Sequence, residues 1–304
     1  NIENLDLCIR DPRHTFIKGD ICETDKLLQI FQDYEPFFII NFAAESHVDR
    51  SITSPKIFFE NNVIGTLSLF EACRKYFQEL SRKQKSHFRI LQISTDEVYG
   101  SLSIEEKSFT EENRFKPNSP YSASKASSDH IARSYYSTYS LPVLISNCSN
   151  NYGPYQHPEK LIPLTILNLI RGIEVPVYGK GKQIRDWLFV KDNCEAQMKI
   201  IKEGEIGGVY NVGGDNEKEN IEVVELICDV LQTIKSSTRK PYKDLISFVE
   251  DRPGHDYRYS IDNTKISNSL NWKPSESFES GLQKTIEWYV ENDLWVKKVL
   301  EKSG

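Results

Sequence analysis

The sequence predicts an α/β fold in which a mainly parallel, doubly wound sheet of the Rossmann type is joined to a smaller C-terminal domain. Three observations support this prediction. Short apolar runs alternate with helical patterns in the first half of the chain, which is typical of β-α-β units. Pro, Gly and aromatic residues then become dense after residue 149. The length of 304 residues is enough for one large or two modest domains.

The first strand of this sheet is predicted at residues 37–42 (FFIINF), a continuous apolar run of the kind that is buried on both faces. A helix is predicted next at about 55–77, and Pro55 suits its first turn. The rest of this part is expected to form a strand, a helix and a strand at 88–93, 121–139 and 143–148. This order predicts that the strands run parallel, with helices as the crossovers.

The pattern loosens in the second half of the chain. The dense Pro, Gly and aromatic residues of 150–158 and 175–187 predict long loops around a pocket. Apolar residues at helical spacing predict further helices at about 160–171, 221–234 and 278–292. We therefore expect a first domain of residues 1–149 that also receives about 188–215, and a smaller second domain of 150–187 and 216–304.

Composition excludes several classes of protein. The formal net charge of −6 argues against a nucleic-acid-binding protein, which usually carries a basic stripe. No apolar run approaches the length of a membrane span, and no signal peptide opens the sequence. The six cysteines are scattered without a C-x-x-C pair, so we expect free thiols in the cytoplasm and no metal site.

Residues 94–100 (STDEVYG) directly follow a predicted apolar strand, at the sheet edge where open α/β folds bind ligands. Asp96 and Glu97 can act there as a general acid and a general base if their pKa values differ. An Asp-Glu pair is more often an exposed acidic loop. Here, however, the pair lies between two apolar stretches, where a merely solvated pair is less expected.

Tyr121 and Lys125 are four residues apart on a predicted helix, so both side chains point the same way. A neighbouring ammonium favours the phenolate and is expected to lower the pKa of the tyrosine, which makes it a base for a sugar hydroxyl. The pattern is short and occurs by chance on solvated helices. Its place after the STDE stretch favours the catalytic interpretation.

Several motifs together resemble one family, the dTDP-glucose 4,6-dehydratases of the extended short-chain dehydrogenase/reductases. The resemblance covers nearly the whole chain, in order. The motifs are FAAESHVDRS (42–51), ISTDEVYG (93–100), SPYSASKASSDH (119–130), NCSNNYGPYQHPEKLIP (147–163), GKGKQIRDW (179–187) and DRPGHDYRY (251–259). It implies that the first domain binds NAD and that the second binds a nucleotide sugar.

The resemblance also implies a role for each catalytic residue. Tyr121 would take the proton of the C4 hydroxyl as hydride leaves C4 for NAD, with Thr95 bonded to that hydroxyl and Lys125 supporting the phenolate. Glu97 would remove the C5 proton, and Asp96 would protonate the departing C6 hydroxyl. It implies further a homodimer formed through the helices near 55–77 and 121–139, and a pathway to rhamnose or another deoxysugar for surface polysaccharide.

Binding residues are carried over in the same way. The resemblance assigns NAD to Asp20, Ile21, Ala43, Ala44, Ser46, Asn62, Tyr121 and Lys125. It assigns the nucleotide sugar to Asn150, Glu159, Lys160, Leu161, Tyr178, Arg185, Asn220, Arg252 and His255. Among these, Arg185 and Arg252 suit a diphosphate because a guanidinium bonds phosphate oxygens as a fork. His47 is equally compatible with a structural role, and the tryptophans are interpreted as packing or surface residues.

One departure from the family concerns the cofactor. The family carries a G-x-x-G-x-x-G turn after its first strand, whereas the first glycine here is Gly19. Such a turn normally cradles a pyrophosphate. We therefore expect the first β-α-β unit, which includes the central strand of such a sheet, to be missing from these 304 residues.

Three alternatives stay open. A nucleotide-sugar 4-epimerase shares the Tyr/Lys pair and NAD but needs no acid and base at C5 and C6, so Asp96 and Glu97 favour a dehydratase. A UDP- or GDP-sugar 4,6-dehydratase would differ only in its base pocket. A non-catalytic nucleotide-sugar-binding protein would have no reason to keep the complete catalytic set.

Overall fold

The computed structural model describes residues 2–236 and 240–301. The predicted domain ranges also include Asn1, residues 237–239 and the last three residues, which lie outside the described residues. Strands in the described part are β1 (Phe38–Asn41), β2 (Arg89–Thr95), β3 (Val143–Cys148), β4 (Asn150–Tyr152), β5 (Val175–Tyr178), β6 (Ile184–Phe189), β7 (Val209–Val212), β8 (Glu217–Glu219) and β9 (Ile246–Val249).

Helices connect and cover these strands. The α-helices are α1 (Thr24–Tyr34), α2 (Val48–Thr53), α3 (Pro55–Phe58), α4 (Gly65–Glu79), α5 (Arg82–Lys85), α6 (Pro120–Tyr139), α7 (Leu161–Arg171), α8 (Val190–Glu203), α9 (Asn220–Ile234), α10 (Thr264–Leu270), α11 (Phe278–Glu291) and α12 (Asp293–Glu301). A π-helix, Phe59–Ile64, joins α3 to α4, and 3₁₀ turns form at Ile2–Leu5, Asp96–Tyr99 and Tyr242–Leu245.

The main sheet has the order β1-β2-β3-β7, and all its pairs are parallel, as the sequence predicts. Thr95 at the end of β2 is in register with Cys148 at the end of β3. Inside the sheet, the buried Asn41 side chain donates to Gln92 Oε1 at 2.9 Å. Because the strands are parallel, the segments that follow β1, β2 and β3 all begin at the same edge.

Helices cover both faces of this sheet, which makes it doubly wound. On one face, α4 and α6 contribute Phe70 and Tyr135, whose ring centroids lie 5.4 Å apart. On the other, α8 and α10 contribute Ile200 and Ile266, which pack with Leu144 of β3. The helix α10 therefore packs on the main sheet, although it lies in the range predicted for the second domain; the domain division itself stays a prediction.

The C-terminal part forms a second core around two small sheets, β4-β6-β8 and β5-β9. Its fully buried centre includes Tyr152, Ile227, Phe278 and Ile286, contributed by β4, α9 and α11. Strands β3 and β4 are separated by a single residue, Ser149, so the chain passes directly from the main sheet into this part. A cleft results along the carboxyl edge of the main sheet.

Two details of the predicted fold were wrong. The segments predicted as long loops at 150–158 and 175–187 contain β4, β5 and most of β6. The run 37–42 is also not buried on both faces, since β1 is an edge strand and its neighbours Phe37 and Phe42 are 57% and 58% exposed. No described strand pairs with the outer side of β1, which explains the exposure.

We predict that Leu144→Ala lowers the free energy of unfolding by about 2–5 kcal/mol, because it opens a cavity beside an inner strand of the sheet. Urea denaturation measures this loss. Leu294→Ala is the matched control, since Leu294 is 76% exposed on α12 and its truncation should change stability by no more than about 0.5 kcal/mol. Equal losses in both variants would contradict the assignment of the core.

Candidate active site

The carboxyl end of β2 continues directly into the 3₁₀ turn Asp96–Tyr99. Thr95 Oγ1 caps this turn by accepting a hydrogen bond from the Glu97 amide at 3.3 Å, and it donates to Asp96 Oδ1 at 3.3 Å. The turn ends at Gly100, whose φ of 95° and whose close approach to Lys116 O leave no room for a Cβ atom. The turn geometry thereby fixes Thr95, Asp96 and Glu97 at the sheet edge.

Helix α6 brings Tyr121 and Lys125 to the same place. The helix begins with a capping box between Ser119 and Ser122. Tyr121 is 9% and Lys125 is 5% exposed. The Lys125 ammonium donates to Ile93 O at 2.6 Å, so the base of α6 is bonded to the strand that carries the carboxylates. All five predicted catalytic residues thus lie on α6, at the end of β2 or on the 3₁₀ turn that follows β2.

The two carboxyl groups have raised pKa values for partly different reasons. Burial raises the pKa of Asp96 well above its ordinary range, and the charges of Glu97 and Asp186 raise it further. Burial also raises the pKa of Glu97, but the cations Arg185 and Arg252 oppose this rise. Asp96 is therefore suited to hold a proton, and Glu97 is the member of the pair whose charged form is supported by cations.

The expectation for Tyr121 was wrong in direction. Burial raises the pKa of its phenol well above the ordinary value, and the charge of Glu97 adds to the rise, while a hydrogen bond with Thr95 opposes it. Burial also lowers the pKa of Lys125, whose ammonium is directed to the Ile93 carbonyl. Burial of Tyr121 therefore favours its protonated form over the phenolate.

A cleft of about 350 Å³ opens beside this group. All nine residues that the sequence assigned to the nucleotide sugar line it: Asn150, Glu159, Lys160, Leu161, Tyr178, Arg185, Asn220, Arg252 and His255. Glu97 and Ser46 line it as well. Residues from distant parts of the chain therefore form one site.

Cations of the cleft are held by backbone and side-chain oxygens. The buried Arg185 donates to the carbonyls of Ile184 and Asp256 at 2.8 and 3.0 Å, and its guanidinium lies 4.4 Å from the centre of the Tyr259 ring. Arg252 donates to Asp49 Oδ1 at 2.7 Å, while its Nε has no partner among the described residues. An anion bound here could use the remaining N–H groups of both arginines.

Residues 46–50 bridge the cleft from the sheet side. Lys160 Nζ donates to Ser46 O at 2.8 Å, and Tyr178 Oη donates to Asp49 Oδ2 at 3.2 Å. Arg50 pairs with Glu159 at 3.2 Å. With the bond from Arg252 to Asp49, four predicted substrate residues are therefore in contact with this segment.

Sequence reasoning missed several cleft residues, of which Asp49, Trp187 and Tyr259 are the most informative. Trp187 was interpreted as packing or surface; it is buried, but its indole N–H has no partner in the described part of the chain and it lines the cleft. It lies two residues beyond Arg185 on β6, so strand periodicity could have placed both on one face. His47, left ambiguous, also lines the cleft.

The residues assigned to NAD lie on the sheet side. Ala43 and Ala44 follow β1 and are exposed, as is Asp20, and Ile21 is partly buried. Ile21 packs so closely on Gly65 that a Cβ atom at position 65 would lie 2.5 Å from its methyl group. Any side chain at position 65 would therefore clash with Ile21, so the close contact at the start of α4 requires glycine.

The ribose contact of Asn62 stays a prediction, and in this structure its amide group bonds other parts of the protein. Its amide nitrogen donates to Glu45 O at 3.0 Å and to Ser124 Oγ at 2.8 Å, and its Oδ1 accepts from Glu45 N at 2.8 Å. Both amide protons are thus used within the protein. Asn62 braces the segment after β1 against α6, and the π-helix turns it toward both.

The hydrogen-bond donors and the small side chains on the sheet side show whether these residues fit NAD. The buried Lys125 ammonium has three protons, of which the bond to Ile93 O uses one, so others can reach a ribose hydroxyl beside Tyr121. The small side chains of Ala43 and Ala44 leave the neighbouring strand end open to a flat ring. The residues fit the nicotinamide ribose, whereas the 304 residues contain no G-x-x-G-x-x-G turn for the pyrophosphate.

Residues 2–236 and 240–301 lack two further features. No group of three or more His, Cys, Asp or Glu side chains in this part is placed to hold a metal ion. Within the same residues, none of the helices combines the length and apolarity that crossing a membrane requires.

Comparison with known proteins assigns the family. The family model described as GDP-mannose 4,6 dehydratase matches residues 1–285. A dTDP-glucose 4,6-dehydratase of Salmonella typhimurium is 51% identical over 312 aligned residues, which cover 100% of this chain and 86% of that protein. The chain belongs to the dTDP-glucose 4,6-dehydratase family. A relative of the same name from Escherichia coli K12 has the same identity and coverage.

Solved structures of the dTDP-glucose 4,6-dehydratase family have the same fold. The Streptomyces venezuelae enzyme DesIV, crystallised with NAD, matches with a TM-score of 0.89 at 41% identity, over 98% of this chain and 86% of that one. A Bacillus anthracis family member in complex with NAD matches with a TM-score of 0.85 at 44% identity, over 98% and 87%. A Thermotoga maritima UDP-glucose 4-epimerase at 24% identity, with a TM-score of 0.82, shares the fold.

We predict that Asn62→Ala destabilises the protein by about 1–3 kcal/mol, because the Glu45 backbone groups and Ser124 Oγ lose their partner in the interior. Urea denaturation measures the loss, and hydrogen exchange at the Glu45 amide should become faster. Asn61→Ala, in the same π-helix, is the matched control because Asn61 is only partly buried. Unchanged exchange at Glu45 in Asn62→Ala would contradict the bracing role.

Proposed function

We propose that the chain converts dTDP-glucose into dTDP-4-keto-6-deoxyglucose by NAD-dependent oxidation at C4, elimination of water across C5 and C6, and reduction at C6. One observation carries this proposal. The cation-flanked Glu97 lines a cleft together with all nine predicted nucleotide-sugar residues, and the buried Asp96 directly precedes it in the chain. A 4-epimerase has no use for such an acid and base, so the pair favours the dehydratase.

The cleft has regions that suit each part of a nucleotide sugar. Lys160, Arg185 and Arg252 supply positive charge for a diphosphate. An apolar wall of Leu161, Leu164, Pro176 and Val177 suits a base with a methyl group. The hexose would then lie toward Glu97. Overall likeness to the dTDP-glucose enzymes, at 51% identity, favours thymine over the bases of UDP- and GDP-sugars.

Residues of the chain then act in sequence on the hexose. Tyr121 and Thr95 hydrogen-bond the C4 hydroxyl. Tyr121 first loses its phenol proton to solvent, and the phenolate then takes the hydroxyl proton as the C4–H bond breaks. When bound, NAD supplies the acceptor for the C4 hydride and the donor of hydride to C6. Lys125 holds the adjacent ribose and carries the positive charge that favours proton transfer to the Tyr121 site.

Elimination uses the two carboxyl groups. The ketone at C4 acidifies the C5 hydrogen, which Glu97 removes as a base. Asp96, kept protonated by burial, gives its proton to the C6 hydroxyl, which leaves as water. After hydride reaches C6, Glu97 protonates C5 with a proton that it has exchanged with solvent, so the base is regenerated. Tyr121 releases to solvent the proton that it took from the C4 hydroxyl, and Asp96 takes one up, so the protons balance and the reaction is redox-neutral.

We also propose a homodimer in the cytoplasm, an NAD-binding domain of 1–149 with 188–215, and a place in the synthesis of a deoxysugar. Large apolar side chains along the predicted dimer helices support the first point. The exposed ones are Ile57, Phe59, Ile64, Leu67, Tyr136 and Tyr139. They lie on α3, the π-helix, α4 and α6, which pack side by side.

Incubation with NAD and dTDP-glucose in deuterated water, followed by NMR, tests the function. We expect 4-keto-6-deoxy product with deuterium at C5, and Glu97→Gln should lower turnover by about 10²–10⁴-fold and slow the exchange at C5. Glu112→Gln, an exposed position, is the control. Formation of dTDP-galactose would indicate an epimerase, and no reaction with dTDP-, UDP- or GDP-sugars would exclude a dehydratase.

The pH profile of turnover should reflect the two carboxyl groups. Because Glu97 must be ionised, activity falls as the pH drops through its raised pKa; because Asp96 must be protonated, activity falls as the pH rises through its own raised pKa. Arg252→Gln removes a cation that lowers the pKa of Glu97, so the acidic limb should move to higher pH at saturating substrate. Arg171→Gln is the control, and an unmoved limb would refute this electrostatic coupling.

A further inference from the structure

A third ionisable side chain lies on the face of α6 that carries Tyr121 and Lys125. Asp129 follows Lys125 by four residues and is 2% exposed, so residues 121, 125 and 129 form one buried stripe. The mechanism above assigns no role to Asp129. Its burial is costly unless the carboxylate is paired or hydrogen-bonded.

The contacts of Asp129 link the two catalytic elements. Ser94 Oγ donates to Asp129 Oδ2 at 2.5 Å, and Ser94 directly precedes Thr95 on β2. The second oxygen, Oδ1, is buried without a partner in the described part of the chain. The Ser94 bond and the bond from Lys125 to Ile93 O are consecutive along β2, so both fasten α6 to the strand end that carries Thr95, Asp96 and Glu97.

Asp129 is also the carboxylate that acts on the Lys125 ammonium. Burial lowers the pKa of Lys125, and the negative charge of Asp129 is the main influence that raises it again. Burial raises the pKa of Asp129 to about 7, although the charge of Lys125 and the hydrogen bond from Ser94 both act to lower it. Loss of the Asp129 charge would leave a buried ammonium with mainly a backbone carbonyl to stabilise it.

Other charged and titratable groups also face Asp129. A cavity of about 430 Å³ on its outer side is lined by Glu111, Arg114, His130 and Arg133. The phenol of Tyr99, on the 3₁₀ turn, is close enough for the charge of Asp129 to raise its pKa. These groups belong to the segment after β2 and to α6, and none of them touches the cleft.

We propose that Asp129 is a positioning residue for the reaction: it fastens the strand end of Thr95, Asp96 and Glu97 to helix α6 and is the counter-ion that keeps Lys125 charged. The role rests on the proposed function only where turnover is measured. The charge state of Lys125 can be measured without turnover.

The experiment compares Asp129→Asn, Asp129→Glu and Ser94→Ala with the parent protein. In Asp129→Asn we expect kcat to fall about 10-fold or more, with a smaller change in KM. Asp129→Glu should recover part of the lost kcat, and Ser94→Ala, which removes the bond to β2 but not the charge, should lower kcat without changing the pKa of Lys125. Asp244→Asn, an exposed position, is the control.

A second measurement separates this role from a structural one and from the activity. NMR of ¹³C-labelled lysine, with Lys125→Arg to assign the signal, gives the pKa of Lys125 in each folded variant. A lower pKa in Asp129→Asn with the parental melting temperature supports the proposal, whereas an unchanged pKa overturns it even if kcat falls. If the parent protein lacks dehydratase activity, the proposed function fails, and the lysine titration still decides the role of Asp129.

Discussion

Burial of two adjacent carboxyl groups, Asp96 and Glu97, is the constraint around which the cleft is arranged. Neighbouring carboxylates repel each other, and removing them from water is costly unless cations or hydrogen bonds compensate. Here the compensation comes from Arg185 and Arg252, which lie in the C-terminal part of the chain. The site therefore requires both parts of the fold to be in place, although its carboxyl groups come from one strand end.

The rest of the site geometry is set by the end of β2, by the turn that follows it and by their bonds to α6. The turn after β2 is closed by Thr95 and by Gly100, and helix α6 is bonded to β2 at Ile93 and Ser94. These features all involve residues between positions 93 and 100 of the chain. Catalytic groups that are held by rigid elements lose little precision to thermal motion, which is what acid–base chemistry on a single hexose needs.

The sequence was sufficient to predict the elements whose signal is local. Apolar runs and their spacing were enough to predict the parallel strands and the i,i+4 pair of Tyr121 and Lys125. The family motifs were enough to predict residues that line the cleft. Features that depend on distant partners were not predictable. The direction of the Tyr121 pKa shift depends on burial by other elements, and the use of the Asn62 amide depends on Glu45 and Ser124. The short strands β4 and β5 lie in segments whose Pro and Gly content indicated loops.

The bridge formed by residues 46–50 has a consequence for how binding energy is used. Lys160, Tyr178 and Arg252 are held in place by hydrogen bonds to this segment. Binding of a nucleotide sugar therefore costs little side-chain entropy on this side of the cleft. The nucleotide half of the ligand can then supply binding free energy that is used to position the hexose half. In the proposed reaction, this affinity becomes available for holding the hexose against Tyr121 and Glu97.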